Sequence, residues 1–255
     1  METLVRDHLV FICFAAATAV AIAAYATLVV TGWMSYGRHH AGLLGDDQAD
    51  SLLDRFLPQF EVREQHHIQI AAPAAIAYEA ARAVNLSDSG IIRAIFRLRE
   101  WVVGAPRTEE KQSGHEGLVN NAIAMGWGKL AEIPGRVIVM GAVTQPWAKK
   151  VVFRAISTEQ FASFAQPGYV KIVWSLRVDP KGSGNSLHVT ETRACATDST
   201  ARGAFRRYWA CFSPGIVLIR LIAIRLVKAR AERAARLQLT GANIGHLGAG
   251  AAHRH

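Results

Sequence analysis

The chain has 255 residues, 51% of them hydrophobic, and a formal net charge of +9 at pH 7. Three cysteines without a CxxC pair exclude a disulfide-stapled scaffold. The basic charge comes without zinc-finger spacing or an aromatic RNA-binding signature, so nucleic acid is not an expected partner.

Leu9 to Val30, LVFICFAAATAVAIAAYATLVV, contains no charged residue. As a helix rising 1.5 Å per residue it would span about 33 Å, enough for a hydrocarbon core of ~30 Å. Eight alanines keep it moderately hydrophobic, and Ala24-Tyr25-Ala26 has the small-x-small form of a signal-peptidase site. The apolar run nevertheless continues through Leu28, Val29 and Val30, and Trp33 and Tyr36 follow as interfacial aromatics. The expectation is an uncleaved membrane anchor over residues 1–33, with a cleaved signal or a buried helix as alternatives. Arg6 and Arg38 flank the run almost symmetrically and leave its orientation open.

Residues 34–58 read as a linker broken by glycines, with a short amphipathic helix in DDQADSLLDRFLP. In EVREQHHIQI, Val62, Glu64, His66, Ile68 and Ile70 alternate with Arg63, Gln65, His67 and Gln69, which predicts a half-buried strand. Pro73 suits the first turn of a helix over AAIAYEAARAV, and Ser87 or Asp88 would cap a second one, SGIIRAIFRLREW. Val103 to His115 reads as a loop. MGWGKLAEI and RVIVMGAV predict two strands about a turn at Pro134-Gly135, and KKVVFRAI a shorter one. Ser157 would cap a small helix, STEQFASF. YVKIVWSLRV and SLHVTETRACA predict long strands joined by the hairpin loop DPKGSGN. A helix from about Asp198 to Leu237 follows, with a kink expected at Ser213-Pro214, and residues 239–255 read as a frayed tail.

An antiparallel sheet with one apolar face needs a cover, and the last helix, rich in Ile, Leu and Val between Ile216 and Val227, is long and apolar enough. Arg220 and Arg225 interrupt that apolar stretch, so it is not read as a second membrane span. Basic residues recur from Arg202 to Arg236, suiting anionic lipid headgroups or a solvated face.

HHIQIAAPAAIAYEA, FASFAQPGYVKIVWSLRV, LHVTETRACATD and FRRYW together resemble the START-like, helix-grip (SRPBCC) superfamily of polyketide cyclases, lipid carriers and ubiquinone-binding proteins. The resemblance covers roughly residues 60–237 and implies an α+β fold with a curved antiparallel sheet wrapped on the C-terminal helix. The helix-grip domain is accordingly set at 59–238. It also implies an apolar cavity between sheet and helix. Trp127, Met140, Trp147 and Tyr208 are the candidate lining residues, and ordinary core packing is the competing reading for each. Trp174 shares a strand face with Ile172 and Leu176 and is read as core.

Glu191 and Arg193 share one strand face and could orient a polar ligand head, or could lie on a solvated surface. His66 and His67 point to opposite faces, so at most one meets the cavity, where it could serve as a base. No metal-ligand spacing, P-loop, GxSxG elbow or dinucleotide fingerprint occurs, so neither metal nor cofactor is expected. Cys195 and Cys211 read as buried free thiols, which favours a reducing, cytoplasmic side for the domain. The expected function is a membrane-anchored binding protein for a hydrophobic small molecule of lipid or isoprenoid type. A cyclase or dehydratase using Glu191 or His66, and an interaction module with a filled cavity, are the alternatives.

Overall fold

The computed structural model describes residues 2–37, 51–86, 89–104 and 117–251. In chain order it contains α1 (Glu2–Ser35), α2 (Ser51–Asp54), β1 (Val62–Ile70), α3 (Ala74–Ala83), α4 (Gly90–Val103), α5 (Leu118–Ala124), β2 (Gly128–Ile133), β3 (Val137–Thr144), α6 (Thr158–Phe161), β4 (Val170–Pro180), β5 (Ser186–Ala196) and α7 (Ser199–Ala251). The five strands form one antiparallel sheet in the order β1-β5-β4-β3-β2. With α7 across one face and the apolar α1 in front, this is the α+β arrangement the sequence implied.

Strand alternation and register separate two faces. Ile68, Ile70, Ile138, Met140, Leu176 and Val178 pack with α3 and with Val227, Ala231 and Ala235 of α7. The opposite face, with Val137, Val139 and Val173, packs on Leu53, Phe56, Leu57 and Phe161. Both faces are therefore covered. The segment assigned to the linker is, from residue 51, part of the packing, with Leu53 wholly buried.

Helix α7 is gripped near both ends of its packed length. Asp198 accepts from the backbone N–H of Thr200 and Ala201 and so caps its start, while Phe205 and Trp209 pack beside Val170 and Ala194. Further along, Lys228 donates to the Gln69 carbonyl at 2.7 Å and Glu232 accepts from the Ala71 N–H at 3.0 Å, tying α7 to the end of β1. Residues 214–223 between these grips are half-buried apart from the exposed Leu218.

Helix α1 leaves its apolar side chains exposed from Val10 to Val30, apart from the half-buried Val29, so it is not a buried helix of the domain. Its length and composition suffice to cross a membrane. Its C-terminal part docks on α7. Gly32 lets the two helices approach, since a Cβ there would stand 3.1 Å from Ser213 Oγ. Arg206 lies 4.3 Å over the Trp33 ring, and Tyr36 donates to Glu61 while meeting Phe205 edge-on. The aromatics expected at an interface are thus partly engaged by the domain.

Several local expectations change. Helix α4 is capped by Ser89, whose side chain accepts from the Ile92 N–H; Ser87, Asp88 and most of the Val103–His115 loop lie outside the described residues, as do His39 and His40. Helix α5 was not anticipated, because seven residues carry too little periodicity. KKVVFRAI forms no strand but one bridge, Arg154 to Val143. Helix α7 passes through Pro214 and continues to Ala251, over most of the segment expected to fray.

Candidate functional site

The register lays two rows across the sheet on the face that meets α7. One runs Glu64, Thr192, Trp174, Met140 and Lys129, the other His66, Thr190, Leu176, Ile138 and Glu132. The β1–β5 side of this face is polar and the β4–β3 side apolar. Trp127, delivered by the turn before β2, extends the apolar side, lying 4.9 Å from Phe153 in a stack and 6.2 Å from Trp174 edge-on. That turn requires Gly126, at φ +100° with the Phe153 carbonyl packed where a Cβ would stand. Thr190 Oγ1 is satisfied by the Ser175 carbonyl at 2.8 Å.

Arg220 faces this surface from α7. It continues the stripe of Phe205, Trp209, Ser213, Ile224, Val227 and Ala231, whose spacings of three, four and seven keep them on one side of the helix. Its Nε is buried without a hydrogen-bond partner, and Glu64 is the acidic group within its electrostatic reach. His66 Nε2 stands 3.5 Å from Glu64 Oε2, too far for a good hydrogen bond. His66 Nε2 and Thr192 Oγ1 are also buried without hydrogen bonds. Three buried polar atoms with unused capacity, on Arg220, His66 and Thr192, thus share the polar side of this face with the Glu64 carboxylate. Each unmet group of this kind costs about 1–3 kcal/mol, so the patch is suited to a polar or acidic ligand head.

Glu191 and Arg193 lie on the other face. They are neither exposed nor directed at α7. Glu191 is wholly buried and accepts from Arg63 at 2.9 and 3.3 Å, from Gln65 at 3.3 Å and from Arg193 at 2.7 Å. Arg193 also reaches Asp54 and, at 3.2 Å, the Leu57 carbonyl, with the Phe60 ring 4.8 Å from its guanidinium carbon. This network is hydrogen-bonded to other protein groups. Its role is to fasten the 51–60 segment to the back of the sheet.

The remaining candidates divide by position. Met140 is buried beside Trp174, and Trp127 is half-buried at the apolar end of the same surface. Trp147 and Tyr208 belong to the cluster at the start of α7, where Tyr208 stacks on Phe205 and lies 3.4 Å from Arg99 Nε. Of the two histidines on β1, His66 meets the α7 side and His67 is exposed on the other. Among the described residues no group of three His, Cys, Asp or Glu could hold a metal ion. Cys195 and Cys211 are free thiols but not the buried pair the sequence suggests: Cys195 is half-buried and Cys211 is exposed on α7.

Glu64, Thr192 and Arg220 were not singled out from the sequence. In the sequence Arg220 interrupts an apolar run, and its place on the buried stripe is the signal that marks it.

Solved structures similar to this chain include two aromatase/cyclase domains or proteins. One is the di-domain ARO/CYC BexL from the BE-7585A biosynthetic pathway, at 15% identity and TM-score 0.25 over 67% of this chain and 46% of that one. The chain therefore spans less than half of BexL's length. The other is the Zhui aromatase/cyclase from Streptomyces sp. R1128, at 14% identity and TM-score 0.26 over 68% of this chain and 94% of that one. No family model and no curated protein matches the chain. At such scores neither neighbour's activity transfers to this site.

Proposed function

We propose that the protein binds a hydrophobic small molecule, of lipid or isoprenoid type with a polar or acidic head, between the sheet and α7. The carrying observation is the pairing of an apolar wall, Trp127, Trp174 and Met140, with a polar patch in which Arg220 Nε lacks a partner. Pockets of this chemistry orient apolar ligands by a few convergent polar groups. Helix α1 tethers the domain to a bilayer and concentrates it where such ligands reside, and the free thiols suit a cytoplasmic side.

Native mass spectrometry of the full chain, released from nanodiscs after incubation with a lipid extract, tests this reading. A discrete adduct is expected. Arg220→Met should weaken its retention by about 10- to 30-fold, the value of a charge-assisted hydrogen bond in a sheltered site. A chain that stays unliganded, or an adduct indifferent to Arg220→Met, would sink the proposal.

The Glu64–His66 pair supports a second reading, that of a cyclase- or dehydratase-like enzyme. His66 would take a proton from carbon beside a carbonyl, Glu64 would steady the imidazolium, and Arg220 would face the developing oxyanion. His66→Gln separates the readings, because it would leave an adduct in place under a binding role and cause substrate to accumulate under a catalytic one.

A further inference from the structure

Helix α4 presents an apolar stripe that the domain leaves uncovered. Ile92, Ile95 and Arg99 point inward: Ile92 is buried, Ile95 reaches α7 at Gly215, and Arg99 donates to the Pro146 carbonyl at 2.9 Å. The outward side carries Ile91, Leu98, Trp101 and Val102, at i, i+7, i+10 and i+11. Trp101 is 79% exposed and Leu98 60% exposed. Arg93 and Arg97 lie along one border of the stripe.

The position of α4 along α7 identifies what covers this stripe. Helix α1 meets α7 in antiparallel order, with Tyr36 at Phe205, Trp33 at Arg206, and Tyr25 donating to the Cys211 carbonyl. Tyr25 already belongs to the apolar run of α1. Gly215, where Ile95 docks, lies two residues beyond Ser213, which packs on Gly32, and so falls near the level of Val30 at the end of that run. A bilayer deep enough to take up α1 as far as Val30 therefore reaches α4. Leu218, exposed on α7 one turn past Gly215, adds to the same apolar surface.

We propose that α4 is an interfacial helix, its stripe of Ile91, Leu98, Trp101 and Val102 seated at the headgroup–acyl boundary of the membrane that holds α1. An apolar stripe bordered by arginines matches that boundary, because the guanidinium groups reach anionic headgroups while the aliphatic and indole surfaces leave water. Arg99 and Ile95 connect this helix to Tyr208, Pro146 and α7. The space between sheet and α7 is thereby held beside the acyl chains, the source of the ligand class proposed above.

This inference rests on the membrane tether of α1 and goes beyond ligand binding. The test uses the full chain reconstituted in phosphatidylcholine–phosphatidylglycerol vesicles, some carrying acyl-brominated lipid. The emission of Trp101 is isolated as the difference between the native chain and Trp101→Phe. Bromolipid should quench that difference signal by about two-fold or more, with little effect of iodide in the buffer, as for an indole below the headgroups. Quenching by iodide and indifference to bromolipid, in a chain that resists carbonate extraction, would overturn the α4 inference and leave the tether standing. A chain that carbonate strips from the vesicles would overturn both. Retention of ligand in native mass spectrometry is read separately and does not depend on either result.

Discussion

Glu191→Ala is expected to lower the unfolding free energy by about 3–5 kcal/mol, the cost of leaving buried charges without their counter-charge. The carboxylate is wholly buried and accepts four hydrogen bonds, two from Arg63, one from Gln65 and one from Arg193. Its removal takes a carboxylate from two guanidinium groups whose side chains are 15% and 3% exposed. Asp54 continues to balance Arg193, whereas Arg63 has Glu191 as its ion-pair partner among the described residues. Glu191→Gln keeps the shape and part of the hydrogen bonding, so a smaller loss is expected. Urea unfolding of the full chain in detergent, followed by tryptophan fluorescence, reads both variants. Because the network faces away from α7, ligand retention by the molecules that remain folded should be unchanged. A variant that unfolds normally but no longer retains ligand would refute the fastening role.

The misplacement of Glu191 and Arg193 shows where sequence pattern stops being informative. Leu187, Val189 and Cys195 share their face, and alternation on β5 was consistent with a cavity or with solvent. It could not show a second cover. That cover comes from Leu53, Phe56 and Leu57, more than a hundred residues earlier in the chain, and strand periodicity carries no record of so distant a partner. On β1 the same periodicity was sufficient. It placed Glu64 and His66 with Ile68 and Ile70, and that face does meet α7. Arg220 was legible in principle, through its spacing from Ser213, Ile224 and Val227. Its charge, however, reads as a break in an apolar run. The long strands, the last hairpin and the α7 cover were legible because each extends over enough residues to show its period. Helices α5 and α6, at seven and four residues, do not.

Acidification is expected to destabilise the domain between about pH 6.5 and pH 4 through His188. This residue lies on the α7 side of β5, 3% exposed, between Ile68 and Val178 in the register. Its Nδ1 donates to the Arg177 carbonyl at 3.1 Å, which fixes the neutral tautomer. Burial disfavours the imidazolium and brings the pKa from 6.5 down to about 4, the bond to the carbonyl offsetting part of that effect. Above pH 6.5 both folded and unfolded chains carry the neutral ring, and the full stability is present. As the pH falls, the unfolded chain binds a proton that the folded chain refuses until about pH 4, so the equilibrium moves toward unfolding. The integrated loss is roughly 3 kcal/mol, with a slope approaching 1.4 kcal/mol per pH unit in the middle of the window. His188→Asn retains a donor near the Nδ1 position and cannot titrate. Its stability should be lower at neutral pH but flatter with acid, so that its deficit relative to the native chain shrinks from pH 7 to pH 4.5. Parallel stability curves for the two chains over that interval would show that His188 takes up its proton in the folded state. The sheet would then have to admit a charge between Ile68 and Val178, where these residues pack in the cluster shared with α7.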